Sequence, residues 1–381
     1  MPSGHGKTFH IEFEKQKDKD TGVMVTRLTD GVGNSIHPYF TQPLISNDSR
    51  ILLIESTRRG RWQLFSLELD TGLMVQLTDD PAIRPHNSCL DPNRLIAYYW
   101  DGKILKSVDL NTLKTEQLYF VPSGFHTGIL SLTADGRYLA FVYSEELEMS
   151  TGTGAQYSEM LEHLYRRPSS VIMRIDLESQ RIEAAWGERE WISHVNISPV
   201  DPNIILFCHE GPWHLVQRMW IVKVDTHEVY PLLEQKRYLE RTGHEYFTKS
   251  GKIVTQYSVR ETPGSQNWVY YDVILSPDGN ILGKFRYPGP SPTHIQTSPE
   301  EDIFVGDGAY PVADFKDGRD YIGIIKHRDD VCEVKPLCHH SSSWLTQESH
   351  PHPIFTPDGR HIIFTSDREG TCNVYLAPVV D

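Results

Sequence analysis

The segment GlnGluSerHisProHisPro at 347–353 sets two histidines one residue apart, each followed by a proline. Alternate side chains of an extended segment project to the same side, so His350 and His352 stand together as two ligands of one metal ion would. Pro351 and Pro353 fix the backbone and remove two N–H donors, which argues against a central ladder strand. Gln347 offers an oxygen ligand just upstream. An HxH pair is only moderately specific for a metal site, and histidines at a surface or between repeats are the lesser alternative.

Three further segments carry similar chemistry. PheCysHisGluGlyProTrpHisLeuValGlnArgMetTrp (207–220) joins a strand to a loop holding His209, Glu210, His214 and Arg218. ArgThrGlyHisGluTyrPhe (241–247) contributes His244, and SerProThrHisIleGln (291–296) contributes His294. Singly, each histidine suits packing or hydrogen bonding at a strand end. Together they fall in consecutive repeats, and repeats that converge on one axis bring such side chains into one pocket.

The scaffold that must position them is read from short apolar runs. These are 51–54, 95–99, 138–142, 204–207, 253–257, 303–305 and 362–365, most of them entered from Asp-Gly, Pro-Asp or Asp-Pro turns. Their spacing of roughly 43 to 66 residues is in the range of propeller blades with loop insertions. Seven runs predict a single all-β domain over 1–381, a seven-bladed β-propeller with an insertion loop near 145–168. AspThrGlyValMetValThrArgLeuThrAsp (20–30) repeats AspThrGlyLeuMetValGlnLeuThrAsp (70–79). The strand at 23–29 is therefore expected to pair with the C-terminal blade and close the ring, removing an exposed sheet edge. A pair of β-sandwiches is the runner-up. Repeats such as ThrProAspGlyArgHisIleIlePheThrSerAsp also accompany serine peptidases, but the chain has no GxSxG elbow.

Composition narrows the partners. With 37 Lys and Arg against 51 Asp and Glu, the formal net charge is −14, and nucleic-acid binding needs a concentrated basic footprint that is missing. No run approaches the roughly 18 apolar residues of a membrane span, and the first 20 residues lack the apolar core of a leader, so a cytoplasmic chain without membrane contact is expected. Five scattered cysteines without a CxxC pair read as reduced structural thiols. Oligomeric state is not legible.

FCHEGPWHLVQRMW, TGHEYF, VGDGAYPV (305–312) and HPHPIFTPDGRHIIFTSD (350–367) resemble the oligogalacturonate lyase family, seven-bladed propeller polysaccharide lyases. The resemblance runs in weaker form from residue 28 to the C-terminus. It implies a divalent metal, typically Mn²⁺, held by His294, Gln347, His350 and His352. It further implies His244 as general base and Arg218 as an arginine assisting at the substrate carboxylate. The substrate would be a short anionic oligouronide, cleaved by β-elimination. The C5 proton of a uronate is weakly acidic, a cation at the carboxylate stabilises the charge left by its removal, and a neutral histidine is a suitable base.

Arg166, Arg167 and Arg241 are candidates for a further carboxylate, and His209 and His214 for sugar hydroxyls. Segments 37–40 and 150–168 differ from the pectin-degrading pattern, so a related uronide stays open as substrate. Two alternatives stand beside the lyase: a non-catalytic sugar- or protein-binding propeller, and a metal-dependent uronide enzyme of another reaction class.

Overall fold

The computed structural model describes residues 4–150, 159–236, 239–308 and 320–380. Among these the chain is almost entirely β, with one α-helix, Met160–Arg166, and one turn of 3₁₀ helix, Gln347–Ser349. It forms two compact units, one of residues 1–120, 292–326 and 333–381, the other of 121–291 and 327–332.

The first unit holds four sheets. One runs in spatial order Thr8–His10, Leu73–Gln76, Gln63–Glu68, Ile51–Ser56 and Ser35–Ile36. The next is Thr115–Phe120, Ile104–Asp109, Ile96–Asp101 and Ile83–Asp91. The third comprises Val331–His339, Tyr321–Arg328, Phe304–Gly308 and Ile295–Thr297, with residues 327–332 of its outer two strands belonging to the second unit.

The fourth joins both chain ends: Glu14–Lys17, Met24–Arg27, Asn373–Pro378, His361–Ser366 and Ile354–Phe355. Thr26 pairs with Leu376 and Arg27 with Tyr375, so the expected union of residues 23–29 with the C-terminal strands is present. It extends further than expected, because Glu14–Lys17 adds an outer strand. Thr8–His10 also pairs with Leu73–Gln76. Gly72 permits that approach: its φ is +73°, and a Cβ there would lie 2.2 Å from the Ile11 carbonyl oxygen.

The second unit holds three sheets, each in sequence order. They are Phe125–Leu132 through Arg181–Arg189, Ile192–Ile197 through Glu228–Pro231, and Glu240–Phe247 through Ile281–Arg286. Arg286 also pairs in parallel with Val331.

The core lies between sheet faces, as alternating strands require. In the first unit Val25, Val305, Ile322, Phe355, Ile362, Phe364 and Tyr375 form one cluster. In the second, Val142, Ile172, Ile205, Phe207 and Val222 form another. All five cysteines are buried and free. Among the described residues, no helix is long and apolar enough to cross a membrane.

The structure corrects one element of the sequence reading. Each of the seven apolar runs is the second strand of its sheet, not the first. The true first strands are Ser35–Ile36, Ile83–Asp91, Phe125–Leu132, Ile192–Ile197, Glu240–Phe247, Ile295–Thr297 and Ile354–Phe355. Three are only two or three residues long, and the four longer ones are interrupted by register shifts at 83/88, 127/130, 192/195 and 243/246. A bulge breaks the two-residue alternation that marks a strand in sequence. These strands nevertheless hold or adjoin many of the histidines. His86, His126, His194 and His244 lie within them, and His37, His294 and His352 lie within two residues of one.

Candidate metal centre and buried arginine network

In the first unit His294, His350 and His352 bring one ring nitrogen each to within 4.8 Å of the others. Exposures of 2%, 7% and 1% put all three out of bulk water. The Gln347 amide nitrogen lies 3.4 Å from His352 Nε2, and amide O and N exchange places by a simple flip, so its oxygen reaches the same point. All four sequence-predicted ligands are therefore brought together.

Their local geometry follows from the chain. Thr346 and Ser349 cap the 3₁₀ turn reciprocally, which holds Gln347 ahead of the His-Pro-His segment. His352 adopts a φ of 46°. Its N–H donates to Asp307 Oδ2 at 3.0 Å. The same carboxylate accepts from the His294 backbone N–H at 2.9 Å and from His294 Nδ1 at 2.9 Å. Holding the proton on Nδ1 leaves Nε2 of His294 as the ligand atom, the usual role of a carboxylate behind a metal-bound histidine.

The electrostatics suit a cation. Burial, reinforced by His294, lowers the His350 pKa to about 4. Burial also holds His352 well below the ordinary histidine value. Both rings are thus neutral at pH 7 and carry lone pairs, and the buried Nδ1 atoms of His350 and His352 have no hydrogen-bond partner. Burial pushes Asp307 up to about 6, against the hydrogen bonds that lower it. Neutral imidazoles with a carboxylate behind one of them fit a divalent metal.

Among the described residues two other groups bring His, Cys and carboxylate atoms together, and in each a carboxylate oxygen already has a protein partner. In His194, Cys208 and Glu245, the carboxylate binds the Arg218 guanidinium. In Asp272, His327 and Cys332, Asp272 Oδ2 accepts from the Tyr287 hydroxyl at 2.7 Å and from His327 Nε2 at 3.0 Å.

In the second unit Arg218 is 1% exposed and lies between two carboxylates. Its Nε donates to Glu245 Oε2 at 2.9 Å and its Nη1 to Glu210 Oε1 at 2.9 Å. Its Nη2 is 3.5 Å from His194 Nδ1. Despite burial, which opposes ionisation, the guanidinium holds both glutamates below the usual carboxylate range. His244 occupies the bulge beside Glu245 with a φ of 52°, and its ring stands 5.7 Å from Trp213 and 6.1 Å from His194.

The remaining candidates are more dispersed. His209 bonds Glu188 at 2.7 Å and packs on Trp220. His214 is exposed. Arg166 ends the helix, bonded to Glu162 and the Glu148 carbonyl, while Arg167 pairs with Glu190. Arg241 lies 3.5 Å over the Trp268 ring. Of the insertion, residues 151–158 lie outside the described residues, as do 309–312 of the VGDGAYPV block.

Sequence reasoning missed Asp307, Glu55, His86 and His194. Asp307 sits inside the quoted VGDG block, and Glu55 interrupts the apolar run IleLeuLeuIleGluSer. An acid within such a run is the signal that could have found them.

An all-β chain with a buried three-histidine centre defines a candidate metal-dependent β-sheet enzyme. The oligogalacturonate lyase family model matches residues 3–381, and the chain belongs to that family. It is thus a lyase. It is 30% identical to the oligogalacturonate lyase of Dickeya dadantii (strain 3937), over 99% of this chain and 98% of that protein. It is 27% identical to the oligogalacturonide lyase of Pectobacterium atrosepticum, over the same shares. Among solved structures, an oligogalacturonate lyase in complex with manganese superposes with a TM-score of 0.86 at 26% identity, covering 99% of this chain and 98% of that one. The oligogalacturonate lyase of Vibrio parahaemolyticus gives 0.85 at 26% identity, covering 99% of both.

Proposed function

We propose that this chain is a Mn²⁺-dependent lyase that cleaves short oligogalacturonides by β-elimination. Three ring nitrogens within 4.8 Å, in a chain whose relative binds manganese, carry that reading. His294, Gln347, His350 and His352 would hold the metal. When bound there, a divalent cation neutralises the uronate carboxylate and stabilises the charge that develops beside C5.

The chain's own residues do the rest. His244 would take the C5 proton from its bulge, where its φ is 52° and its ring stands beside Trp213 and His194. Arg218 would support the substrate's carboxylate charge as a second cation, with Nε and Nη1 bonded to Glu245 and Glu210 and Nη2 3.5 Å from Glu245 Oε1. Arg166, Arg167 and Arg241, with His209 and His214, remain the proposed contacts to further carboxylates and hydroxyls. The seven sheets are read as seven blades of one propeller domain, closed by the pairing of Met24–Arg27 with Asn373–Pro378. A cytoplasmic site of action, on fragments already shortened, belongs to the same reading.

The test is incubation with di- and trigalacturonate, with Mn²⁺ or with chelator, while ultraviolet absorbance of 4,5-unsaturated product is followed. Metal-dependent absorbance is expected. Turnover that survives exhaustive chelation would remove the metal from the mechanism. Cleavage without an unsaturated product would assign another reaction class.

A further inference from the structure

His86 is a histidine that neither the ligand set nor the base assignment uses. It lies in the first unit, in the bulged strand Ile83–Asp91, and its ring is 5.3 Å from that of His352 and 6.3 Å from that of Tyr39. It is 9% exposed, and neither Nδ1 nor Nε2 makes a well-formed hydrogen bond, although the Gln347 backbone lies beside the ring. A buried imidazole with both nitrogens uncommitted is rare, since burial of an unsatisfied polar group costs free energy. His37, also beside His352, makes the contrast: its Nδ1 is 2.7 Å from the Pro38 carbonyl oxygen and its Nε2 3.4 Å from that of Pro351.

The backbone at His86 is held at equal cost. Its φ of 65° lies in the left-handed region, uncommon for a residue other than glycine though better tolerated by histidine than by most. Glu55, fully buried, accepts the His86 N–H on Oε2 at 2.6 Å and the Ser88 hydroxyl on Oε1 at 2.6 Å. A buried carboxylate thus has both oxygens committed to one bulge, and the ring that bulge presents faces the histidine centre with its polar atoms unsatisfied. Strain and desolvation concentrated at one side chain beside a binding centre mark a group waiting for a ligand. His86 is not among the residues whose nitrogens converge, so it is set apart from the ligand group.

We infer that His86 is a substrate-contacting residue: its imidazole hydrogen-bonds a uronate oxygen held at the His294, His350 and His352 face, with Glu55 as the positioning residue. This rests on the proposed uronide lyase reading. The test uses Mn²⁺ alone and then D-galacturonate, which has no glycosidic bond to break, as probes. His86→Gly removes the ring and suits the positive φ, and His86→Asn keeps an amide and tolerates the same conformation.

Mn²⁺ affinity, read from the free-ion electron paramagnetic resonance signal, is expected to stay within twofold in both variants. Galacturonate affinity of the Mn²⁺-loaded protein, read by calorimetry, is expected to fall at least tenfold in H86G and less in H86N. KM for digalacturonate should rise in parallel. Unchanged galacturonate affinity in H86G overturns the inference alone, as does a Mn²⁺ affinity that falls tenfold, which would make His86 a ligand. Wild-type protein that binds no galacturonate overturns the functional reading together with it.

Discussion

Asp307 offers the sharpest test of the metal centre, because it touches no substrate and ligates no ion in the proposed arrangement. Its two oxygens accept from His294 Nδ1, the His294 N–H and the His352 N–H at 2.9–3.1 Å. Asp307→Asn keeps the shape but replaces one acceptor oxygen by an NH₂ donor. At least one of those N–H groups then faces a donor inside a fully buried site. Hydrogen bonds to a charged acceptor contribute about 1.5–3 kcal/mol each, so the metal-free protein should lose about that much stability.

Nδ1 of His294 also loses the partner that holds its proton, so part of the population presents a protonated nitrogen to the ion. Removal of such a carboxylate costs about 10–100-fold in metal affinity, or about 1.4–2.8 kcal/mol. Mn²⁺ titration of D307N followed by electron paramagnetic resonance measures the affinity, and a urea melt of the metal-free protein measures stability. An affinity within twofold of wild type in a folded variant would refute the role assigned to Asp307. It would also place the ion elsewhere than against His294.

Other predictions follow from the same geometry. His244→Asn, chosen because asparagine tolerates the left-handed backbone, should lower kcat by about 10²–10⁴ and leave Mn²⁺ binding intact. Full activity in that variant would remove His244 as base. Arg218→Leu leaves Glu210 and Glu245 buried without their cation and should cost about 3–5 kcal/mol in chemical denaturation. A loss below about 1 kcal/mol would show that water already reaches the glutamates.

The bond that ties the turn between Glu14–Lys17 and Met24–Arg27 to His339 should weaken in acid. Burial alone would raise Asp18, but hydrogen bonds from the His339 and Thr21 backbones bring it down to about 2, below its ordinary 3.8. A depressed carboxylate contributes stability that is full above about pH 4 and lost as pH falls through 2. Exchange of the His339 amide, which donates to Asp18 at 2.7 Å, should accelerate in that window relative to its intrinsic rate, and an Asp18→Asn variant should show no such step.

The sequence determined the strand content, the seven apolar runs, the pairing of residues 23–29 with the C-terminal strands and the His350, His352 and Gln347 cluster, while His294 as a fourth ligand came from the family resemblance. Each of these is local: an apolar run bounded by turn residues, a repeated AspThrGly segment, an HxH spacing. Family resemblance added the chemistry that those local signals left open. Hidden in the sequence were the first strands of the sheets, because bulges at 83/88, 192/195 and 243/246 erase the alternation by which strands are recognised.

Tertiary structure alone decided which polar residues face one another. Glu55 and His86 are 31 residues apart, and Asp307 and His352 are 45 apart. Nothing in their local spacing signals that one will hold the other. The reason is energetic: a buried carboxylate persists only where several donors converge on it, and that convergence is a property of packed strands, not of any short segment.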